Sequence, residues 1–401
     1  MRSTFCPHVV FIGHVARLSG GELALLRTLP ALLPQITATV VLAESGPLVG
    51  ALEALGVRVV VLPLADKVRD ARRAQVTQRS VQARGAWELA SYVVRLARLL
   101  RSLDADVVHT NTLKAHAYGG AAGRLARVPV VWHVRDRIAP DYLPRPAVRL
   151  VRLLARLLPT AVIANSQSTL STLPAGRRWG GLGGTVVPNA LVPDSVVRPH
   201  GSVGRRQDVP TLGVVGRLSP WKGQHVFLDA VATAFPRQAV QARLIGSAMF
   251  GEDDYEAGLR DQINRLSLEE TVELRGFRAD VWAELAELDL AVHCSTLPEP
   301  FGQVVLEAMA AGVPIIASDE GGPAEIIRHG IDGWLVPPRD PVALAEAMQR
   351  LVGDQELRAR LAAEGRRTAA TYTAENTAAG ILAIYRSVVV SRRARRSLTT
   401  Q

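Results

Sequence analysis

Short apolar segments alternate with longer amphipathic segments along the chain, and this alternation limits the possible folds more than any other feature. Apolar runs of strand length, each followed by a helical pattern, are typical of parallel β-sheets that are covered by helices. The predicted strands form two series, at 9–13, 37–43, 58–62, 106–110, 130–134, 161–165 and 184–188, and then at 212–216, 242–246, 272–275, 290–293, 314–318 and 333–336. Two consecutive sheets of similar size explain this pattern better than one very wide sheet.

The chain of 401 residues is long enough for two domains. A polar stretch at 198–208 contains glycine and proline, lacks periodicity and is predicted to be the linker between them. The prediction is therefore an N-terminal Rossmann-like domain at 1–197 and a C-terminal one at 209–372. A helix is predicted at 373–391, with packing against the N-terminal domain as one option. A basic tail follows at 392–401; a solvated end is the favoured prediction, and a specific contact is the alternative.

Composition narrows the class of protein. With 48% hydrophobic and 21% charged residues, the chain is expected to be a soluble globular protein. The first apolar run, 9–13, is too short for a signal peptide, and no run approaches the ~18 residues that span a bilayer. Cys6 and Cys294 are far apart in sequence, so no disulfide framework is expected. The cytoplasm is the default location, with the inner face of the membrane as an alternative.

The net charge of +10 favours anionic partners. Arginine carries nearly all of the positive charge, because the chain has only three lysines. Nucleic acid, acidic lipid and phosphorylated small molecules are the candidate partners. Nucleic acid is the least favoured and is not predicted, because the sequence has no helix-turn-helix, zinc-finger or RNA-binding motif.

The loop Gly216-Arg-Leu-Ser-Pro-Trp-Lys-Gly223 follows a predicted strand and leads into a predicted helix. Open α/β sheets bind ligands at the carboxyl ends of their strands, and glycine lets the backbone approach a ligand closely. Arg217 and Lys222 would supply two fixed cations there, which suits the charge that a diphosphate leaving group develops. Alone, the loop is equally well explained as a surface turn with solvated cations.

A second segment, Leu297-Pro-Glu-Pro-Phe-Gly-Gln-Val-Val-Leu-Glu-Ala-Met-Ala-Ala-Gly312, places Glu299 and Glu307 eight residues apart. Gly302 precedes a predicted helix, so both carboxylates are expected near its N-terminus. That terminus offers free N–H groups from around 301–303 and a dipole that favours anions. A carboxylate can accept hydrogen bonds from two adjacent hydroxyls, which makes Glu307 a candidate ligand for ribose. The alternative is that both acids only favour the dipole.

Two further turns are rich in glycine. Ser318-Asp-Glu-Gly-Gly-Pro-Ala-Glu325 is another strand-to-helix turn, and Leu18-Ser-Gly-Gly-Glu22 follows the first predicted strand. Loops of this kind can hold phosphate. The second turn does not match the dinucleotide-binding fingerprint, because Gly13 lies seven residues before Gly20.

Three of these motifs together resemble family 4 of the retaining glycosyltransferases. They are the loop 216–223, the Glu-x7-Glu pair, and the Gly-Gly-x-x-Glu turn at 321–325, in the family's order and spacing. Val187-Pro-Asn189 and Asn165-Ser166 also fit. The resemblance covers essentially the whole chain and is most specific from 213 to 337. It implies the GT-B fold, α/β, with two Rossmann-like doubly wound parallel-sheet domains that face each other across a cleft.

The resemblance also implies an activity. It implies retaining, metal-independent transfer of a hexosyl group from a nucleotide-diphosphate sugar to an acceptor hydroxyl, without a cofactor and without a protein nucleophile. The implied donor-binding residues are Arg217 and Lys222 on the diphosphate, Glu307 on the ribose, Glu299 with the amides of Phe301, Gly302 and Gln303 at the sugar and phosphates, Phe277 and Arg278 beside the base, Gly216 in the donor loop, and Gly20 and Gly21 from the first domain.

The sequence departs from the family in the first domain. Many relatives have a His-Asp pair after a central strand, with the histidine beside the sugar. Here Val131-Trp-His-Val-Arg-Asp136 puts Arg135 at the usual histidine position, while His133 shares the same face of the strand. His109, at another strand end, is a further candidate. All three remain open as the catalytic polar group.

No metal site is predicted. Asp104-Ala-Asp106 resembles the metal-binding motif of the other glycosyltransferase fold, but it lies at the start of a strand, the wrong edge for this site. It is interpreted as a connection between a helix and a strand. Glu252-Asp-Asp254 is expected to be solvated.

The acceptor is not identified by the sequence. Two basic features favour an anionic or lipid-linked acceptor and peripheral contact with an acidic membrane. One is a cluster of Arg69, Arg72, Arg73, Arg79 and Arg84, and the other is an amphipathic pattern at 144–158. The alternative for 144–158 is an ordinary helix whose leucines pack on the sheet. Glycan, glycolipid and natural-product glycoside synthesis remain open, as do a sugar phosphorylase-like enzyme and a catalytically silent nucleotide-sugar-binding protein.

Overall fold

The computed structural model describes residues 6–64, 79–174, 184–191, 209–236, 240–249 and 251–398. The chain divides into two compact units. The first comprises Met1–Ala190 and Ala374–Gln401, and the second comprises Leu191–Thr373. The predicted linker at 198–208 lies outside the described residues.

The first unit is built on a sheet of seven parallel strands. In chain order these are β1 His8–Gly13, β2 Thr37–Leu42, β3 Arg58–Val61, β4 Val107–Thr110, β5 Val130–Val134, β6 Ala161–Ala164 and β7 Gly184–Val186. Their order in the sheet is β3-β2-β1-β4-β5-β6-β7. The described helices before residue 190 are α1 Gly20–Leu32, α2 Pro47–Ala54, α3 Arg79–Ser102, α4 Leu113–Ala126, α5 Arg145–Leu157 and α6 Gln167–Ser171, with a 3-10 turn at Leu33–Gln35.

Helices cover both faces of this sheet. Side chains of α3, α4 and α5 pack into one hydrophobic cluster with the strands, and side chains of α1 and α2 pack into another. Val9, Val10, Phe11 and Ile12 of β1 are all almost fully buried. A strand that is buried on both faces shows a continuous apolar run rather than alternation, which is why β1 is recognisable in the sequence.

The second unit contains a sheet of six parallel strands. They are β8 Thr211–Val215, β9 Gln241–Ile245, β10 Val272–Gly276, β11 Leu290–His293, β12 Ile315–Ser318 and β13 Trp334–Val336. Their order is β10-β9-β8-β11-β12-β13. The described helices are α7 Gln224–Ala234, α8 Asp253–Arg265, α9 Val281–Ala286, α10 Gln303–Ala311, α11 Gly322–Ile326, α12 Pro341–Gly353 and α13 Gln355–Ala369, with a 3-10 turn at Pro220–Lys222.

Every predicted strand is present, and no strand end differs from its prediction by more than two residues. The predicted architecture of two Rossmann-like, doubly wound parallel sheets is confirmed. In each sheet the strand order reverses between two neighbours, β1 and β4 in the first and β8 and β11 in the second. Ligands of open α/β sheets bind outside the carboxyl ends of the strands at such a reversal.

The C-terminal helix, α14 Ala374–Leu398, belongs to the first unit. Tyr385 is fully buried and its hydroxyl lies 2.7 Å from Nδ1 of His109. The helix runs past the predicted end at 391, and Nη1 of Arg392 donates to the carbonyl oxygens of Ala105 and Asp106, at 3.2 and 3.3 Å. The prediction of a solvated tail is therefore wrong for Arg392, because its guanidinium satisfies carbonyls next to β4.

His116 on α4 links the stability of this unit to pH. Its Nδ1 lies 2.7 Å from Oγ1 of Thr110, and its ring stacks on Trp132 with the centroids 4.8 Å apart. Burial, followed by the charges of His109 and Arg135, lowers the pKa of His116 to about 3. In an unfolded chain histidine titrates near a pKa of about 6.5. Between these values only the unfolded state binds the proton, so stability is present above about pH 6.5 and is lost as the pH falls.

We expect the unfolding free energy of His116→Gln to fall less steeply with acidification than that of the wild type. The difference should be about 1.4 kcal/mol for each pH unit below about 6.5. Urea unfolding of the wild type and the variant, at several pH values from neutral to mildly acidic, measures this slope. His329→Gln, at an exposed position, is the matched control. An unchanged pH dependence of the unfolding free energy in the His116 variant would contradict the expectation.

Candidate functional site

Two loops of the second unit meet where its strand order reverses. The loop 216–223 follows β8, and the loop 294–302 follows β11. Gly223 has a φ of +75°, and a Cβ at this position would lie 1.9 Å from the carbonyl oxygen of Cys294. The amide of Thr296 also donates to the carbonyl of Trp221 at 2.8 Å. The backbones touch here, so the position admits only glycine.

A buried polar cluster surrounds the carboxylate of Glu299. Its Oε2 lies 2.7 Å from Nζ of Lys222 and 2.6 Å from Nε2 of His293. The hydroxyl of Ser295 donates to the same oxygen at 3.1 Å. His293 and Ser295 are 5% and 1% exposed. The structure therefore brings the predicted residues Lys222 and Glu299 into direct contact, and it fixes the carboxylate with several donors.

The electrostatics of this cluster keep Glu299 ionised. Burial alone would raise the pKa of the Glu299 carboxyl, but the Lys222 ammonium and His293 together outweigh it and hold that pKa well below its usual value. A carboxylate that stays negative and accepts only can bind hydroxyl groups, and it can also hold a cation in place.

Arg217, the other predicted cation, lies beside Glu252, which the sequence predicted to be solvated. Nε of Arg217 is 3.4 Å from Oε2 of Glu252, and the hydroxyl of Ser219 donates to Oε1 of Glu252 at 2.6 Å. The expectation that Glu252 is solvated is therefore wrong, because the start of α8 returns to the loop after β8. The ring of Trp221 lies close to both cations, with its centroid 4.4 Å from Nζ of Lys222 and 5.8 Å from Cζ of Arg217.

The N-terminus of α10 borders the same loop. Gly302 is the residue before the helix and Glu307 lies in its second turn, 8% exposed. The side chain of Phe301 packs against Tyr372 with ring centroids 6.2 Å apart, so only its backbone can face a ligand. Gln303 is the first helical residue. Backbone N–H groups in this first turn have no partner within the helix and are suited to bind an anion.

The Gly-Gly turn after β12 packs directly on the Glu299 loop. A Cβ at Gly321, whose φ is +72°, would lie 2.4 Å from the carbonyl oxygen of Glu299. One at Gly322 would lie 2.1 Å from that of Phe301, and the amide of Gly322 donates to the carbonyl of Glu299 at 2.8 Å. The glycine pair therefore supports the loop that carries Glu299.

Two predicted base-binding residues follow the edge strand β10. Phe277 is 73% exposed, so the face of its ring is open to a ligand. Nε of Arg278 lies 3.3 Å from Oε1 of Glu284, which is itself held by Arg275 at 2.9 Å. The structure places both residues at the carboxyl end of the sheet, the edge that also carries the loop 216–223.

The first unit has a polar group of its own at the carboxyl end of its sheet. Arg135 follows β5, and its Nη1 donates to Oδ1 of Asn189 while its Nη2 lies 3.2 Å from Nδ1 of His133. A Cβ at Gly21 would lie 4.0 Å from Cδ of Arg135, whereas one at Gly20 would meet nothing. Burial lowers the pKa of Arg135 to about 10, although Glu22 and Asp136 oppose this shift. The guanidinium remains charged at neutral pH.

These contacts separate the three candidates for the catalytic polar group. His133 is fully buried, and burial, followed by Arg135, lowers its pKa well below the usual value. His109 is 1% exposed, and its two ring nitrogens lie 2.7 Å from the hydroxyl of Tyr385 and 3.2 Å from Oδ1 of Asn111. The structure thus favours a structural role for His109 and leaves half-buried Arg135 as the group that can reach a ligand.

Sequence reasoning missed His293, Ser295 and His14. The first two alternate at the end of β11, a few residues before Glu299, so they share one face of the chain, and that spacing was a usable signal. Nδ1 of His14, directly after β1, lies 2.8 Å from Oγ1 of Thr112. Burial and the charge of Lys114 lower the pKa of His14 to about 4, although Glu44 opposes this shift. The imidazole is therefore neutral at pH 7.

Within the described ranges, no group of three or more His, Cys, Asp or Glu side chains is arranged to hold a metal ion. Asp106, in the Asp-x-Asp sequence, accepts a hydrogen bond from the amide of His8 at 3.1 Å and so joins β4 to β1.

Part of the basic cluster predicted from the sequence of the first domain falls outside the described residues. Arg69, Arg72 and Arg73 lie outside the described residues, as do the side chains of Arg79 and Arg84. None of the helices in the part of the chain that the structure describes combines the length and the apolarity needed to cross a bilayer.

Comparison with known families gives two matches that together span most of the chain. Residues 48–190 match the model of Glycosyltransferase Family 4, and residues 200–368 match that of Glycosyl transferases group 1.

Two curated proteins illustrate the range of similarity. The chain is 31% identical over 305 residues to the phosphatidyl-myo-inositol mannosyltransferase of Mycobacterium leprae, a match that covers 74% of this chain and 77% of that protein. It is 33% identical over 270 residues to exopolysaccharide phosphotransferase SCO2592 of Streptomyces coelicolor, which covers 66% of this chain and 26% of that protein. The chain spans less than half the length of several curated relatives that it matches.

Among solved structures, Anabaena Alr3699/HepE in complex with UDP-glucose is similar over the whole fold. The TM-score is 0.77 at 30% sequence identity, and the match covers 95% of this chain and 100% of that chain. The similarity extends over both units.

Proposed function

Because the chain belongs to the family 4 glycosyltransferases and has their GT-B fold, we propose that it transfers a hexosyl group from a nucleotide-diphosphate sugar to an acceptor hydroxyl. The observation that carries this proposal is the contact between Lys222 and Glu299, 2.7 Å apart at the strand reversal of the second sheet. A UDP-sugar is the donor that we favour, since the similar Anabaena structure contains UDP-glucose.

The diphosphate of the donor binds to Lys222 and Arg217 in this proposal. Both cations are held by a carboxylate, Glu299 and Glu252 respectively, and the ring of Trp221 lies against them. A diphosphate that enters finds charges whose positions are already fixed, so little reorganisation is needed as the leaving group becomes more negative. The first-turn amides of α10 add partial positive charge at the same edge.

Glu299 and Glu307 bind hydroxyl groups of the donor. Glu299 is kept ionised by Lys222 and His293, and its position is fixed by Ser295, so it can accept hydrogen bonds from the sugar. In this proposal Glu307 binds the ribose. We further propose retention of the anomeric configuration by front-side attack, in which an oxygen of the departing phosphate takes the proton of the acceptor hydroxyl and no protein nucleophile takes part. Arg135 is the candidate polar group of the first unit for contact with the donor sugar.

The proposal includes no metal ion and no cofactor, because the two cations can supply the charge that a divalent metal supplies in other phosphate-transfer sites. The acceptor is proposed to be anionic or lipid-linked, which suits the net charge of +10. Synthesis of a glycan, a glycolipid or a natural-product glycoside would each fit.

We expect Lys222→Ala and Arg217→Ala to reduce turnover by on the order of 10²–10³-fold, since each removes a preorganised charge from the leaving group. Initial rates of UDP-sugar hydrolysis or transfer, with circular dichroism to check folding, measure the effect. Arg260→Ala, an exposed cation on α8, is the matched control. Rates close to that of the wild type in both folded variants would rule out the proposed role of Lys222 and Arg217 in binding the diphosphate.

Glu307→Ala should weaken binding of UDP by about 10–100-fold, because a charged acceptor of hydrogen bonds is lost from the ribose. Calorimetric titration with UDP gives the dissociation constant without any need for an acceptor. Glu346→Ala, at an exposed position on α12, provides the control. A folded Glu307 variant that binds UDP as tightly as the wild type would remove this residue from the site.

Turnover should persist in the presence of a chelator such as EDTA, because Arg217 and Lys222 provide the positive charge. The rate of donor hydrolysis or transfer is compared with and without EDTA, and again after addition of magnesium or manganese. Complete loss with the chelator and recovery with the metal would show that this part of the proposal is wrong. Tight binding of donor with neither hydrolysis nor transfer would instead favour a nucleotide-sugar-binding protein.

A further inference from the structure

The helix α5 carries an apolar stripe on the surface of the first unit. Leu150, Leu153 and Leu157 are 56%, 50% and 50% exposed. At 3.6 residues per turn, these three side chains share an arc of about 60°. About half of the surface of each leucine is therefore in contact with solvent.

The opposite face of α5 packs against the hydrophobic cluster of the first unit. Val148 and Ala155 are buried, and Leu154 and Leu158 pack against the same hydrophobic cluster. The sequence left open whether the leucines of this segment pack on the sheet or face a membrane. The structure divides them into an inner set that packs and an outer set that does not.

A basic stripe lies next to the outer leucines. Arg145, Arg149 and Arg156 are exposed and share an arc of about 40° on the side of Leu153. The helix contains no acidic residue, and no carboxylate among the described residues forms an ion pair with these three arginines. Their charges are therefore not neutralised by neighbouring side chains.

Arg152, by contrast, has a structural role. Its Nε donates to the carbonyl of Thr172 at 2.9 Å, and its Nη2 donates to that of Ile138 at 3.1 Å. The outward stripe thus consists of the three other arginines of the helix.

The end of the adjacent helix also carries an exposed leucine. Nε of Arg124, near the end of α4, donates to the carbonyl of Leu158 at 2.8 Å and ties the ends of α4 and α5 together. Leu125, the next residue, is 45% exposed. An exposed leucine is therefore also present at the end of α4 that is joined to α5.

We propose that the outer face of α5 docks onto a membrane that contains anionic lipids. The leucine stripe enters the boundary between headgroups and acyl chains, while Arg145, Arg149 and Arg156 bind lipid phosphates. A helix of 13 residues is about 20 Å long, which suits a helix that lies in the plane of the interface. This docking does not depend on the proposed transfer reaction.

Charge complementarity favours lipid over other occupants. In a twofold dimer the same patch would face itself, so three arginines without carboxylate partners would meet their own copies. Nucleic acid would neutralise the arginines but would leave the leucines in water. An anionic bilayer satisfies both stripes at once.

The test is co-sedimentation of the full chain with vesicles, without any donor. One set of vesicles contains only phosphatidylcholine, and the other contains equal parts of phosphatidylcholine and phosphatidylglycerol. The wild type should bind the anionic vesicles much more strongly than the neutral ones, and added salt should weaken this binding.

Two variants separate the two stripes. The triple change Leu150→Gln, Leu153→Gln and Leu157→Gln should lower the partition coefficient by at least about tenfold, because the inserting side chains are lost. The triple change Arg145→Gln, Arg149→Gln and Arg156→Gln should lower it by on the order of 100-fold on anionic vesicles and remove the preference for them.

Matched controls come from the second unit. Val342 is 57% exposed and the side chain of Arg367 is 73% exposed, so Val342→Gln and Arg367→Gln change the same chemistry on another surface. Both controls should bind vesicles like the wild type. UDP binding, measured without vesicles, should be the same in all variants, which separates this proposal from the proposed transferase function.

Three results would overturn the proposal. One is a wild type that does not bind anionic vesicles, and another is a folded leucine variant that binds them as well as the wild type. The third is a wild type that does not bind vesicles but forms a dimer in sedimentation velocity, while the leucine variant stays monomeric. This result would assign the surface to a second copy of the chain.

Discussion

The largely buried carboxylate of Glu299 is the constraint on which the site of the second unit depends. A charge removed from water is costly unless opposite charge and hydrogen bonds surround it, and here Lys222, His293 and Ser295 provide both. Lys222 comes from the loop after β8 and Glu299 from the loop after β11. The contact therefore requires that these strands be neighbours, and it requires Gly223 to let the two backbones touch.

The first unit also holds a partly buried charge in place, but does so with uncharged side chains. Arg135 is partly buried, and Asn189 and His133 hold it in place although neither is charged at neutral pH. Its pKa falls only to about 10, so the group remains a cation fixed at the carboxyl end of the sheet. Arg135 thus presents a permanent positive charge at the position where the resemblance to the family leads us to expect a histidine.

The two units present different chemistry on their surfaces. The described cations of the second unit's site are each paired with a carboxylate, Lys222 with Glu299 and Arg217 with Glu252, which is typical of a preorganised binding site. The arginines on the outer face of α5 have no such partners, and exposed leucines lie beside them. Paired charges suit a small ligand that must be held in one geometry. Unpaired charges beside apolar side chains suit the surface of a lipid bilayer, whose headgroups are mobile.

The sequence by itself determined the strands, their grouping into two sheets, and the loops that carry Arg217, Lys222 and Glu299, because these depend on apolar periodicity and on spacing along the chain. It did not show that Glu252 binds Arg217, that Tyr385 binds His109, or which leucines of α5 stay exposed. Only the tertiary structure decided those points. Each of them depends on residues that are distant in sequence or on the neighbours that a helix face meets, and a local pattern records which side chains are present but not what folding places against them.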